Sequence, residues 1–289
     1  MLAQSAGFWP DWALFGDAIL VGTMLAMLLP LGGALLVLRQ QVFVTAAIGQ
    51  AATLGFAVAL ALGLGSAHDL GHSHGRAGLV VCGMAAAVLT AIAALRALSA
   101  RQSTMEARSA FVFLFAGSAA MLLLDSVPHG PQAVQRLFLS SLLTVAPSDV
   151  WLVLAGGGLS LLGLRWRRRL LLWAIDPATS SAHGGRALHY DLVVGTWLGL
   201  WLGYAIVATG LVFTFGASVL PVLAARSWAR SLRAVLLLAP LLGGAGLLLG
   251  FALAHRFDLP PGQVVVALLG ALAALARITP ARGTGPRAP

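Results

Sequence analysis

Residues 78–95, 191–225 and 234–254 run almost without interruption through apolar side chains, and no other feature narrows the fold of this chain so far. About 20 residues of helix, rising 1.5 Å per residue, cover the ~30 Å hydrocarbon core of a bilayer. Charged side chains make up only 9% of the 289 residues, and mean hydropathy is +0.92. A water-soluble domain carries about 25% charged residues because its surface faces water. Most of this surface must therefore face lipid, where a segment has to satisfy its own backbone hydrogen bonds and is driven to helix. The expected fold is all-α, a polytopic integral membrane protein with eight to nine transmembrane helices. The spans are placed near 13–38, 42–64, 78–98, 109–126, 150–172, 191–208, 210–225, 234–254 and 263–279. The stretch 191–225 also reads as one span plus a re-entrant helix. The whole chain, 1–289, is expected to be one transmembrane domain.

The net charge of +9 comes from 18 Arg without a single Lys. These arginines do not form a nucleic-acid stripe; they sit in short groups between the apolar runs. Arg39, then Arg96, Arg101 and Arg108, then Arg165, Arg167, Arg168 and Arg169, then Arg226, Arg230 and Arg233, and the tail Arg277, Arg282 and Arg287 fall on one side of a nine-span arrangement. By the positive-inside rule that side is cytoplasmic, the tail 280–289 with it, and the N-terminal stretch 1–12 is outside. Arg76 and Arg136 fall on the outer side as exceptions. The first basic residue is Arg39, so no secretory leader is expected. The lone Cys82 lies in an apolar run and offers neither a disulfide framework nor a thiolate site. Trp9, Trp12, Trp151, Trp173 and Trp228 fall near span ends, where interfacial anchors belong. Trp197 and Trp201, four apart and deeper, are expected to pack on another helix.

The chain carries no enzyme constellation. Glu106 is its only glutamate, and no Gly-rich phosphate loop ends in Lys-Ser or Lys-Thr. No tightly bound cofactor is expected. Transport, with energy supplied by a separate subunit, is the class that remains.

Five stretches in order carry a resemblance. They are GGALLVLRQQVF (32–43), FLSSLLTVAPSDVWL (138–152), RRRLLLWAIDPATSSAHGG (167–185), ATGLVFTFGASVLPVLAARSWA (208–229) and HRFDLPPGQVVV (255–266). Over roughly 13–275 the sequence resembles the permeases of zinc, manganese and iron ABC transporters. The resemblance implies an importer of a divalent metal, zinc first, in the bacterial cytoplasmic membrane. It also implies a second permease copy, cytoplasmic ATPase subunits and an extracytoplasmic metal-binding protein as partners. The ATPase-coupling residues would be Asp176, Pro177 and Gly184 in one loop, and Pro221, Arg226 and Arg230 in another, with Pro221 and Pro177 breaking the spans.

The sequence departs from the family at one place. Where the family carries D-x-x-x-H-x-x-x-P-G early in its second span, this chain has Ala46, Gln50, Leu54 and Gly55. An Asp and a His four apart share a helical face and suit a cation; an amide is a poor transition-metal ligand. Gln50 reads either as lining the pathway or as an amide satisfied at a helix contact. The outer segment HDLGHSHG gathers His68, Asp69, His72 and His74, ligand types for zinc, or forms a polar connector that happens to hold histidines. Asp17, Asp125 and His129 read as water-facing helix ends, and His255 and Asp258 as residues that stop a helix. Two rival readings are a secondary cation exporter, which requires paired His and Asp inside the spans, and a membrane assembly protein that no longer transports.

Overall fold

The structure is a computed structural model that describes residues 12–64, 76–96, 102–139, 147–163, 165, 170–171, 173–174 and 186–279. The described residues form ten helices and no strand: α1 Trp12–Leu38, α2 Val42–Ala61, α3 Arg76–Arg96, α4 Gln102–Asp125, α5 Gly130–Leu139, α6 Pro147–Gly163, α7 Arg186–Thr209, α8 Leu211–Trp228, α9 Leu232–Phe257 and α10 Pro261–Ile278. Eight of them are long and apolar enough to cross a membrane, and Asp149–Gly163 within α6 is a shorter apolar helix. Eight to nine spans is thus the observed architecture. The stretch 191–225 divides at Gly210 into two helices, and of the helix expected over 150–172 the described run is α6 up to Gly163. The short α5 was not anticipated.

Side-chain contacts fix which helix ends lie together. Arg39, just past α1, bonds to Trp173, which bonds to Asp191 near the start of α7. Arg226, late in α8, reaches the Val37 carbonyl, and Trp228 donates to Thr279 beyond α10. At the opposite end, Phe15 of α1 meets Phe251 and His255 of α9. The bundle therefore has one end rich in Arg39, Arg96, Arg226, Arg230, Arg233 and Arg277, as the charge pattern required. Arg256 joins the exceptions at the other end.

Two groups of helices share the core. One joins α1 to α8 and α9, with α10 packed on those two; the other joins α2 to α3, α4 and α7, and α2 also touches α1 and α8. Within their spans 72% of α1 and 78% of α2 are buried, against 22% of α4, so the first two are the axis and α4 lies at the rim. Side chains such as Leu122, Trp151 and Leu89 lie at least two-thirds exposed, an arrangement that only lipid or another apolar surface tolerates. Between membrane helices close backbone approach replaces the hydrophobic drive, and small residues permit it. Gly195, Gly199 and Gly203 form such a row on α7: a Cβ on each would press on Ile92, Val88 and Met84 of the antiparallel α3.

Pro30, Pro221 and Pro240 all lie inside continuous helices. The break expected at Pro221 does not occur, because neighbouring helices and local side chains can support a freed carbonyl in a membrane bundle. The real break is at Gly210 (φ 86°, ψ 159°), a conformation that a side chain would resist. Gln40 (φ 58°) ends α1 in a Schellman turn, with Gln41 N–H on Leu36 O and Gln40 N–H on Val37 O. Gly63 ends α2 in the same way.

Candidate functional site

The face of α2 that departs from the family pattern lies inside the bundle. Ala46 and Gln50 are 7% and 6% exposed. Gln50 points to α4, where Gly117 leaves the room it fills: a Cβ there would stand 3.1 Å from Gln50 Oε1. That oxygen is buried with no hydrogen-bond partner. Thr53, one turn on, offers nothing, since its hydroxyl donates to Gly49 O. An unmet buried acceptor costs about 1–3 kcal/mol, and Gln50 Oε1 is such an acceptor. Gly55 has a packing reason of its own, because a Cβ would come within 2.6 Å of the Cys82 carbonyl oxygen on α3. A void of about 10 Å³ lies between α1, α2, α7 and α8, lined among others by Leu29, Thr45, Trp201 and Ser218. It admits about one water.

His68, Asp69, His72 and His74 lie outside the described residues, as do Asp176, Pro177 and Gly184. Among the described residues no three His, Cys, Asp or Glu gather as a metal site. Asp17, Asp125, His129, His255 and Asp258 are all exposed, and Asp258 (φ 52°) caps α9. Pro221 is buried within α8, whereas Arg226 and Arg230 are exposed at its end. Trp197 and Trp201 pack on α6 as expected: Trp197 Nε1 donates to Ser160 Oγ at 2.7 Å, and Trp201 lies against Gly156.

Sequence reasoning missed a buried polar cluster at the Arg-rich end. Arg39 is 6% exposed, and its Nη2 donates to the Trp173 carbonyl at 2.7 Å. Its guanidinium carbon lies 3.5 Å from the centre of the Trp173 ring, a cation–π stack. Trp173 Nε1 donates in turn to Asp191 Oδ1 at 3.0 Å. Burial brings the Arg39 guanidinium down to about 10, against the opposing pull of the Asp191 carboxylate, so Arg39 remains a cation at neutral pH. Trp173, expected as an interfacial anchor, is 1% exposed and serves instead as the platform of this cluster. Its partner Arg39 is 134 positions away, and no local pattern signals such a pairing.

A family model described as the ABC 3 transport family matches residues 12–279. The chain belongs to this family. A manganese import system permease protein, ScaB of Streptococcus gordonii, is 25% identical over 146 residues, which is 50% of this chain and 52% of that relative. The alignment thus spans about half the length of the curated relative. Among solved structures, PsaBC from Streptococcus pneumoniae in complex with Fab superposes with a TM-score of 0.72 at 18% identity, covering 91% of this chain and 90% of that one. An inward-facing ABC transporter of provisional metal-chelate type gives a TM-score of 0.69 at 17% identity, covering 96% and 91%. These two likenesses establish the fold.

As an ABC 3 family member with eight long apolar helices, the chain is a multi-pass protein of the bacterial cytoplasmic membrane. The substitutions at Ala46 and Gln50 therefore sit inside a chain that the family model matches from α1 to α10.

Proposed function

We propose that this chain is the membrane-spanning permease of an ATP-driven importer for a divalent transition-metal ion. The observation that carries the reading is the family match over 12–279. Two copies would enclose one pathway around a two-fold axis, the commonest symmetry for identical subunits. A chain with no Lys and no phosphate loop leaves ATP to a separate cytoplasmic subunit, and an extracytoplasmic metal-binding protein would deliver the ion. The manganese importer among the relatives makes manganese the first cation to test, and the imidazoles of 68–74 make zinc the second. Gln50 would meet the ion only when α2 and α4 part, and its unmet Oε1 is the acceptor it would then offer.

Arg226 and Arg230 stand exposed at the Arg-rich end of α8 and would face the ATPase, with Asp176, Pro177 and Gly184 in the preceding connection. Reversing Arg226 to Glu replaces attraction by repulsion at an acidic partner surface, worth ~1–3 kcal/mol. Co-purification of the ATPase with Arg226→Glu is expected to fall, and uptake of radioactive manganese and zinc with it, at unchanged membrane insertion. Normal complex formation with full uptake would defeat the reading.

His68, Asp69, His72 and His74 would collect the ion outside the pathway. Replacing the three histidines by Ala is expected to lower uptake at scarce zinc and spare it at abundant zinc, since a collecting segment concentrates the ion without forming its path. An uptake curve that superposes on the parent's at every concentration would reduce the segment to a connector.

A further inference from the structure

The connection between α6 and α7 carries one of the two proposed ATPase-facing segments, and the structure shows how its described part is held. Trp173 is gripped on three sides. Arg39 lies over its ring, Arg39 Nη2 bonds its carbonyl, and its indole N–H is taken by Asp191. Arg39 closes α1 immediately before the Gln40 turn, and Asp191 lies in the second turn of α7. One indole thus ties together the inner ends of two helices from different halves of the bundle and the chain segment between α6 and α7.

Two further observations set this arrangement apart from ordinary packing. Arg39 Nε and Nη1 are buried without hydrogen-bond partners, so the cation is kept inside the protein while several of its donors go unused. A guanidinium in such a place is held by geometry as much as by its bonds, because its flat face matches the indole and no ammonium could lie on it in the same way. Asp191 hydrogen-bonds the indole rather than Arg39 and acts on the cation only through space, so Trp173 is the group that touches both.

We infer that Arg39, Trp173 and Asp191 form a clasp that fixes the α6–α7 connection to the inner ends of α1 and α7, and that Arg39 is a positioning residue through which movement of the ATPase-facing segment reaches both helices. The inference rests on the permease reading above. A loose clasp lets the segment move without carrying α1 and α7, so ATP is hydrolysed with less ion transported.

The test has two arms. In the first, the full chain alone in lipid nanodiscs is followed by hydrogen exchange. Arg39→Gln and Trp173→Phe are expected to speed exchange of the amides at 170–174 while leaving α9 and α10 unchanged; unchanged exchange at 170–174 overturns the clasp. In the second, the chain is reconstituted with its ATPase, and manganese or zinc transported per ATP hydrolysed is measured. The ratio is expected to fall about tenfold for Arg39→Gln, within the usual range of coupling between sites. Trp173→Phe, which keeps a ring under the guanidinium and removes only the donor to Asp191, is expected to fall less, and Arg39→Lys to recover part of the loss. Transport and hydrolysis falling in equal proportion would reduce Arg39 to a structural residue and overturn the positioning role. Failure of the parent chain to associate with any ATPase would instead strike the permease reading, and the first arm would still decide the clasp.

Discussion

Gly33→Ala is expected to lower the melting temperature of the purified protein by about 6–12 °C, and Gly33→Val to prevent its accumulation in the membrane. A Cβ at Gly33 would overlap the carbonyl oxygen of Ser218 and lie 2.8 Å from its carbonyl carbon. The obstacle is backbone, so no change of rotamer relieves it, and α1 and α8 must move apart along a contact that also holds Ala34, Val37, Val222 and Ala225. Overpacking a tight interior costs about 1–3 kcal/mol, and a rigid backbone contact belongs at or above the top of that range. About 3 kcal/mol corresponds to roughly 6–12 °C for a domain of 150–250 residues. Gly158 on α6 is the control, because nothing lies within 4 Å of a Cβ there and Gly158→Ala leaves the melt unchanged or raised. Equal melts for Gly33→Ala and the parent chain would show that α1 and α8 do not approach as closely as described.

The second large effect concerns the cation. Ala46→Asp combined with Gln50→His restores the carboxylate and imidazole that the family resemblance expects, one turn apart on a single face of α2. Without metal the double variant is expected to melt below the parent, since a carboxylate at a position 7% exposed lacks the solvent that would stabilise it. Added manganese or zinc is then expected to raise its melting temperature, by the equivalent of about 2.7 kcal/mol at a hundredfold excess over Kd. The parent chain is expected to respond to neither metal. Uptake by the double variant is expected to saturate at lower metal and to turn over more slowly, because an ion held more firmly leaves more slowly. A double variant whose melt ignores both metals would place the ion-binding face somewhere other than positions 46 and 50.

The membrane architecture was readable because its cause is local. Each span is an apolar run bounded by arginines or turn residues, and both signals survive at the level of single segments. Pro221 misled because its effect depends on surroundings: in isolation it ends a helix, while inside this bundle α8 continues to Trp228. The short α5 was missed because ten residues are too few for the length argument that finds a span. It is visible only as an amphipathic turn in which Ala133 is fully buried while Gln132 and Gln135 stand exposed. The partnership of Arg39 with Trp173 was not legible at all. Each residue looked like an ordinary member of a charged or aromatic belt, and only the folding of α1 against the α6–α7 connection makes them neighbours.

Gly210 joins α7 and α8 with no loop between them, and the far ends of both helices lie at the same Arg-rich end of the bundle. The two helices are therefore the legs of a pair of dividers with a single-residue pivot. The 18 residues of α8 make a leg ~27 Å long at 1.5 Å per residue. A change of about 10° at the pivot carries its tip, and Arg226 with it, roughly 5 Å relative to the foot of α7, a displacement close to the ~5.4 Å of one helical turn. One glycine's dihedral angles thus set the lever arm between Asp191 and Arg226, and any residue with a side chain at 210 would shorten the range of that lever before it touched either end.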